Sequence, residues 1–172
     1  MIPLLGIAAW SGTGKTTLLK KLIPVLQRHG IRVGIIKHTH HDMDVDTPGK
    51  DSYELRHAGA YQTLVASQKR WALMTETPTQ PELDLTYLAS RMDVSTLDLV
   101  LVEGFKQEAI PRILLFRQEA GHDAAELITD GRVIAIACNI PLETDLPQLD
   151  INDAEQVGAF ICSWLNAQSR KT

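Results

Sequence analysis

The amino-acid sequence predicts an α/β fold: a mainly parallel sheet with antiparallel edge strands, covered by helices. The first observation is an apolar run at residues 3–9, followed by a glycine-rich turn and then a helical pattern. The second is a series of later apolar runs with short connections, typical of strands buried on both faces. The third is a pair of strand-like segments at 61–67 and 70–76 joined by a tight turn, which indicates antiparallel pairing. Strands and helices in this order build a three-layer sandwich.

The N-terminal part of the chain alternates strands, helices and one polar loop. From Lys15, apolar residues recur every three or four positions and predict a helix that ends near Gly30. Residues 38–52 are polar and contain Pro48 and Gly49, so they predict a loop. The other predicted elements here are a strand at 31–37 and a short helix at 53–58.

The C-terminal half is predicted to add three strands and two helices. The strand-like run at 111–117 follows the one at 97–105 too closely for a helical crossover, so we expect antiparallel pairing there. We expect the side chains of Cys138, Cys162, Trp71 and Trp164 in the core. The remaining predicted elements are a helix from Pro81 to about Met92, a strand at 132–138, a helix at about 153–167, and an irregular segment at 118–130.

Composition limits the classes of protein to which the chain can belong. At 172 residues the chain has the size of one domain, predicted here over residues 1–172. The net charge of −4 argues against broad binding to nucleic acid or to anionic membranes. Two cysteines without paired spacing suggest neither a disulfide framework nor a cysteine zinc site, and they fit a reducing cytoplasm. The start of the chain lacks the basic segment of a secretory leader, and no apolar run reaches the ~18 residues expected of a membrane span.

The segment GTGKTT is a candidate phosphate-binding loop, or P-loop. Such a loop needs glycines for close backbone approach, a lysine for the β- and γ-phosphates, and a hydroxyl for Mg²⁺. The predicted nucleotide-binding residues are Gly12, Thr13, Gly14, Lys15, Thr16 and Thr17, and Lys15 is also a predicted catalytic residue. Ala9 replaces the first glycine of the usual pattern. The position of the GTGKTT segment between an apolar strand and an amphipathic helix predicts a P-loop NTPase-like fold.

The partner of a P-loop is an apolar strand that ends in a carboxylate near Mg²⁺. The run LDLVLVEGF supplies Glu103 after three apolar residues. Asp98 lies at the opposite end of the same strand, where a capping or surface role is expected. We therefore predict Thr16 and Glu103 as Mg²⁺ ligands.

The polar loop at 38–52 allows three interpretations. The favoured one is a loop that senses the γ-phosphate, with Asp46 near the Mg²⁺ as a predicted metal ligand and catalytic residue. A second is a transition-metal site that uses His38, His40 and His41, since imidazole suits zinc or nickel. A third is a solvated surface loop. A calcium loop is excluded because Thr47 stands where glycine is needed.

Asn139 follows the strand at 132–138, at the end where ligands bind in such sheets. Its amide can pair with either guanine or adenine. The NKxD signature of guanine recognition is absent, because Ile140 and Leu142 stand where lysine and aspartate would be. The residues alone thus leave GTP and ATP both open.

Several stretches together resemble one bacterial family, the MobB adaptor proteins of molybdopterin-guanine dinucleotide biosynthesis. The resemblance is carried by residues 6–23, by KHTHH and GKDS within 37–52, by HAGA at 57–60 and by VEGFK at 102–106. It implies GTP rather than ATP, Mg²⁺, weak hydrolysis and a homodimer. It also implies action beside the molybdopterin guanylyltransferase and the molybdenum-insertion proteins.

Two other functions use the same loop and stay open at this stage. A small-molecule kinase would transfer the γ-phosphoryl group, but it usually needs an arginine-rich lid, and the sequence shows no such cluster. A nickel or zinc chaperone GTPase would use the histidine-rich loop as a metal-donor site. The sequence therefore favours an adaptor with weak GTPase activity over these alternatives.

Overall fold

In the computed structural model of the protein, residues 2–39, 43–79, 82–123 and 131–170 are described. The chain divides into two compact units, one made of Met1–His38 with Leu85–Thr172 and the other of Thr39–Asp84. The elements in chain order are β1 (Leu4–Ala9), α1 (Lys15–Arg28), β2 (Val33–Lys37), α2 (Asp51–His57), β3 (Gln62–Ala66), β4 (Trp71–Thr75), α3 (Leu85–Ser90), β5 (Leu99–Glu103), β6 (Arg112–Phe116), β7 (Val133–Cys138), β8 (Gln148–Asp150) and α4 (Ala154–Ser169).

The first unit is built on a six-stranded sheet with the order β2-β5-β1-β6-β7-β8. Every neighbouring pair in this sheet is parallel. Parallel strands are usually covered on both faces, which explains why β1, β5 and β7 read as continuous apolar runs. The predicted α/β fold of the P-loop type is confirmed.

The core lies on both faces of this sheet. Alternate residues of β5 point to opposite faces, so Leu99 and Leu101 join a cluster with α1 and α4, while Val100 and Val102 join a cluster with Leu85 of α3. The predicted apolar stripe of α1 is buried as expected, and it consists of Leu18, Leu19, Leu22, Val25 and Leu26. Helix, sheet and helix thus form the three predicted layers.

One pairing prediction is wrong. The strand β6 pairs in parallel with β1 on one side and with β7 on the other, and it does not pair with β5. The chain between β5 and β6 crosses β1 without a helix. The short connection between the two strands therefore does not require them to pair as an antiparallel hairpin. The short edge strand β8 was not predicted, because only three residues pair.

The second unit contains α2 and an antiparallel hairpin formed by β3 and β4. The antiparallel pair was predicted, and it forms a separate two-stranded sheet. No apolar side chain among the described residues of this unit (39, 43–79 and 82–84) is buried. Leu64, Trp71 and Leu73 share one face of the hairpin and are exposed.

Two expectations about single elements need correction. Trp71 is 64% exposed on β4, so its predicted place in the core is wrong, whereas Cys138 is buried in the first unit and Trp164 packs against the core. Helix α3 is shorter than predicted and begins at Leu85, while Pro81 lies outside the described residues. Within the described ranges, no helix has the length and apolarity that crossing a bilayer demands.

Candidate functional site

Chemistry-bearing residues collect at the carboxyl edge of the six-stranded sheet. Because all six strands are parallel, their carboxyl ends meet at one edge, where ligands bind in open α/β sheets. The P-loop follows β1, Lys37 ends β2, Glu103 ends β5, and Asn139 follows β7. The fold thus brings together the predicted loop, the predicted carboxylate and the predicted base-recognition residue along one edge of the first unit.

The P-loop leads directly into α1. Gly14 precedes the helix with a φ of 92°, a left-handed conformation that a residue with a Cβ adopts only under strain. The helix has no side-chain cap, and its first turn, Lys15 to Thr17, contains N–H groups without carbonyl partners in the helix. Such an uncapped helix N-terminus favours an anion.

Lys15 reaches the carboxylate at the end of β5. Its Nζ lies 3.3 Å from Oε1 of Glu103, and Nζ of Lys37 lies 3.8 Å from the same oxygen. The Glu103 side chain is only 16% exposed, so this carboxylate is largely withdrawn from water between two ammonium groups. Register explains the arrangement, because Glu103 pairs with Ile7 of β1 and with Lys37 of β2.

A strained turn follows Glu103. A Cβ on Gly104 would lie 2.7 Å from Cβ of His38, so only glycine fits between the ends of β5 and β2. The next residue, Phe105, has a φ of 51° and is the single non-glycine residue with positive φ among those described. Backbone strain of this kind is concentrated at functional sites.

Arg117 is a residue of this edge that sequence reasoning missed. It follows β6, and its Nε donates to the carbonyl oxygen of Thr13 at 3.0 Å, while its Nη2 donates to Oδ1 of Asn152 at 2.6 Å. A trans peptide points its C=O and N–H in opposite directions. The bond to Thr13 therefore fixes the Thr13–Gly14 peptide with the Gly14 N–H facing away from Arg117. A lone arginine after a strand was the only signal in the sequence.

Asn139 lies where it was predicted, but its amide is engaged within the protein. Oδ1 accepts from the Gln118 N–H at 3.1 Å, and Nδ2 donates to Oε2 of Glu119 at 2.7 Å. With hydrogen bonds from its own backbone and from Asn139, the pKa of Glu119 is lower than usual. The role of Asn139 in base recognition stays a prediction.

Asp46 belongs to the second unit, where it is held by Arg56 of α2. Its Oδ1 accepts from Nη2 of Arg56 at 2.8 Å, and Arg56 also bonds Asp44 and Glu76. Burial would raise the pKa of Asp46, but the hydrogen bonds from Arg56 and Ser52 outweigh it and lower the pKa. The same carboxylates raise the pKa of Arg56. Whether Asp46 also binds a metal ion remains a prediction.

The alternative metal site on the polar loop falls partly outside the described residues. His40 and His41 are not among them, and His38 lies beside the Phe105 ring with 5.1 Å between centroids. Within the ranges that the structure describes, no group of three or more His, Cys, Asp or Glu side chains is placed to hold a metal ion.

The donor set at the P-loop fits a nucleotide phosphate with Mg²⁺. It offers the uncapped N–H groups of α1, the Lys15 ammonium and the Thr16 hydroxyl, with the Glu103 carboxylate alongside. N–H groups and an ammonium suit phosphate oxygens, whereas hydroxyl and carboxylate oxygens suit Mg²⁺. The Thr13 side chain is buried, and among the described atoms its Oγ1 has no hydrogen-bond partner.

Comparison with known proteins points to one family. Residues 4–139 match the model of the family described as MobB, molybdopterin guanine dinucleotide synthesis protein B. The chain is 67% identical over 169 residues to the molybdopterin-guanine dinucleotide biosynthesis adapter protein of Escherichia coli (strain K12), covering 98% of this chain and 97% of that protein. It is 54% identical over 165 residues to the protein of the same name from Haemophilus influenzae, covering 96% and 90%.

Solved structures agree with the sequence comparisons. A crystal structure of molybdopterin-guanine biosynthesis protein B has a TM-score of 0.77 at 27% identity and covers 95% of this chain and 99% of its own. The MobB homolog from Bacillus stearothermophilus has a TM-score of 0.72 at 26% identity and covers 95% and 98%. The similarity therefore extends over nearly the whole chain in both sequence and fold.

Proposed function

The chain belongs to the MobB family, and from this membership we propose that it is an adapter in molybdopterin guanine dinucleotide biosynthesis that binds GTP with Mg²⁺. The names of the Escherichia coli and Haemophilus influenzae relatives support the adapter role. The observation that carries nucleotide binding is the position of Lys15 and Glu103, 3.3 Å apart at the N-terminus of α1. We propose that Lys15 binds phosphate and that Glu103 and Thr16 bind Mg²⁺.

Weak hydrolysis is part of the proposal. An arginine that reaches the developing charge is worth roughly 10³–10⁵ in rate. Among the described residues, Arg56 is held by three carboxylates and Arg117 by Thr13 and Asn152, so both guanidinium groups are already engaged. The engagement of these two guanidinium groups supports slow hydrolysis of GTP.

An adapter needs surfaces for other proteins. We propose a homodimer that acts in the cytoplasm beside the molybdopterin guanylyltransferase and the molybdenum-insertion proteins. The exposed apolar face of the β3–β4 hairpin supports association, because an isolated hairpin is marginally stable in water. We also propose that residues 1–172 act as one nucleotide-binding domain.

Calorimetry with GTP and ATP, each with and without Mg²⁺, tests the proposal. Lys15→Ala should weaken GTP binding at least about tenfold, which corresponds to about 1.4 kcal/mol or more, because the ammonium on the phosphates is lost. Lys21→Ala is the matched control, since Lys21 is an exposed lysine of the same helix. Unchanged GTP affinity in a folded Lys15→Ala variant would contradict the assignment of the P-loop.

A further inference from the structure

An open groove of about 380 Å³ lies at the carboxyl ends of β7 and β8. We propose that this groove binds the base of the nucleotide and that Asp150 makes it selective for guanine. The proposal rests on the proposed function, which supplies the nucleotide. Five lining residues carry an amide or a carboxylate: Asn139, Gln148, Asp150, Asn152 and Gln156.

The groove lies along the same sheet edge as the P-loop. Neighbouring strands are about 4.8 Å apart, so β7 and β8 lie roughly 10 and 14 Å from β1 across β6. A nucleotide with its phosphates at the N-terminus of α1 can therefore extend along this edge towards the groove. One side chain spans the interval, because Arg117 bonds both Thr13 of the P-loop and Asn152 of the groove wall.

The four amides of the groove already make hydrogen bonds within the protein. Asn139 bonds Gln118 and Glu119, and Asn152 accepts from Arg117. The other two hold backbone: Gln148 bonds the N–H and the carbonyl oxygen of Leu142 at 2.8 Å each, and Gln156 accepts from the Asp150 N–H. These bonds fix the amides in the walls of the groove, and Asp150 is the one carboxylate among the lining residues.

Asp150 is fixed in place and keeps capacity to accept. Its Oδ1 accepts from the Asn152 N–H at 2.8 Å, and its own backbone N–H donates to Oε1 of Gln156. These two hydrogen bonds hold the residue in place. An ionised carboxylate only accepts hydrogen bonds, at about four lone-pair positions, and the bond from Asn152 uses one of them. Asp150 therefore suits a ligand that presents donors.

Guanine presents two adjacent donors to such a carboxylate, whereas adenine presents only one, its 6-amine. The Watson–Crick edge of guanine places N1–H beside the exocyclic amine, and a carboxylate can accept from both. At the corresponding positions adenine has the acceptor N1 and a C–H, so the carboxylate would face a lone pair. This chemistry explains how guanine can be selected although Ile140 and Leu142 replace the lysine and aspartate of NKxD.

The test is a change of base preference. In Asp150→Asn the amide oxygen still accepts from N1–H, but the amide NH₂ faces the exocyclic amine of guanine, so two donors meet. Xanthine has a carbonyl oxygen at that position, which accepts from the amide. We expect GTP affinity to fall and xanthosine triphosphate affinity to rise, each by about tenfold or more. Asp145→Asn is the control, because Asp145 is exposed on the same β7–β8 connection outside the groove.

A second measurement needs no variant. The wild-type protein should bind inosine triphosphate about tenfold or more weakly than GTP, because hypoxanthine lacks the exocyclic amine. Equal affinities for these two nucleotides, or an Asp150→Asn variant with the wild-type preference for GTP over xanthosine triphosphate, would overturn the inference and leave GTP binding intact. A wild-type protein that binds none of these nucleotides would instead contradict the proposed function.

Discussion

Single side chains set the charge balance at the candidate site, and Glu103 is central to it. The carboxylate lies between Lys15 and Lys37 and is largely shielded from water. A charge in such a position interacts strongly with its neighbours, because solvent screening is reduced. Removing that charge while keeping the shape of the side chain should therefore change the Mg²⁺ dependence of GTP binding.

Glu103→Gln should weaken the Mg²⁺ dependence of GTP binding more than it weakens binding without metal. The physical reason is that the amide keeps the volume but loses the charge that attracts a hard cation. Titration of Mg²⁺ against both proteins measures this. Asp98→Asn is the control, since Asp98 lies at the opposite end of β5. Identical Mg²⁺ titration curves for Glu103→Gln and wild type would indicate that Glu103 has only a structural role.

Asp98 itself gives a prediction about stability and pH. Its two carboxylate oxygens accept from Nε and Nη2 of Arg32 at 2.9 Å each, and this pairing lowers the pKa of Asp98 to about 2. A depressed pKa stabilises the folded state above the unfolded pKa of about 3.9, and the contribution is lost as the pH falls towards 2. Asp98→Asn should lower the Tm at pH 7, and the gap should shrink between about pH 4 and pH 2. Thermal unfolding across this range tests it, and a gap independent of pH would contradict the ion-pair account.

At the scale of elements, α2 and the segment before it act as one charged cluster. The Arg56 side chain is 10% exposed and bonds Asp44, Asp46 and Glu76, so it ties the loop at 43–50 and the residue that follows β4 to the helix. Because α2 buries no apolar side chain, these ion pairs replace an apolar core in ordering this part of the chain.

Asp46→Asn should lower GTP turnover further from an already low wild-type rate, well below the ~1–100 s⁻¹ of kinases. GDP affinity should change little, because the predicted role of Asp46 concerns the γ-phosphate and its Mg²⁺. Asp44→Asn is the matched control, since Asp44 bonds the same Arg56 but is half exposed. Single-turnover hydrolysis measures both variants. Equal losses in the two would assign the effect to the Arg56 cluster, and full activity of Asp46→Asn would make the loop a solvated surface.

At the scale of the whole molecule, we expect a homodimer in which the β3–β4 hairpin is covered. Trp71, Leu64 and Leu73 form an exposed apolar face, and buried aromatic side chains often dominate binding energy at interfaces. Sedimentation at micromolar concentration should show a dimer, and Trp71→Glu should weaken association about tenfold or more. Val94→Lys, at an exposed apolar residue of the first unit, is the control. A monomeric wild type, or a Trp71→Glu variant that associates like wild type, would contradict the expectation.

The sequence by itself determined the features that depend on local pattern. Apolar runs marked β1, β5 and β7, the three-to-four-residue spacing marked α1, and the order of glycines, lysine and threonine marked the P-loop between them. Glu103 was found because a P-loop implies a strand ending in a carboxylate, and the family resemblance followed from such short motifs. Each single motif lies within about twenty consecutive residues, where backbone geometry and side-chain periodicity are sufficient.

Only the tertiary structure decided which distant segments meet. It placed β6 beside β1 in parallel, exposed Trp71, joined Arg117 to Thr13 across 104 residues of sequence, and set Asp150 in the groove beside Asn139. None of these follows from local pattern, because strand order, exposure and long-range hydrogen bonds depend on how the whole sheet buries its apolar faces. The motif marked the place where phosphate should bind, and the packing of the sheet decided which side chains surround it.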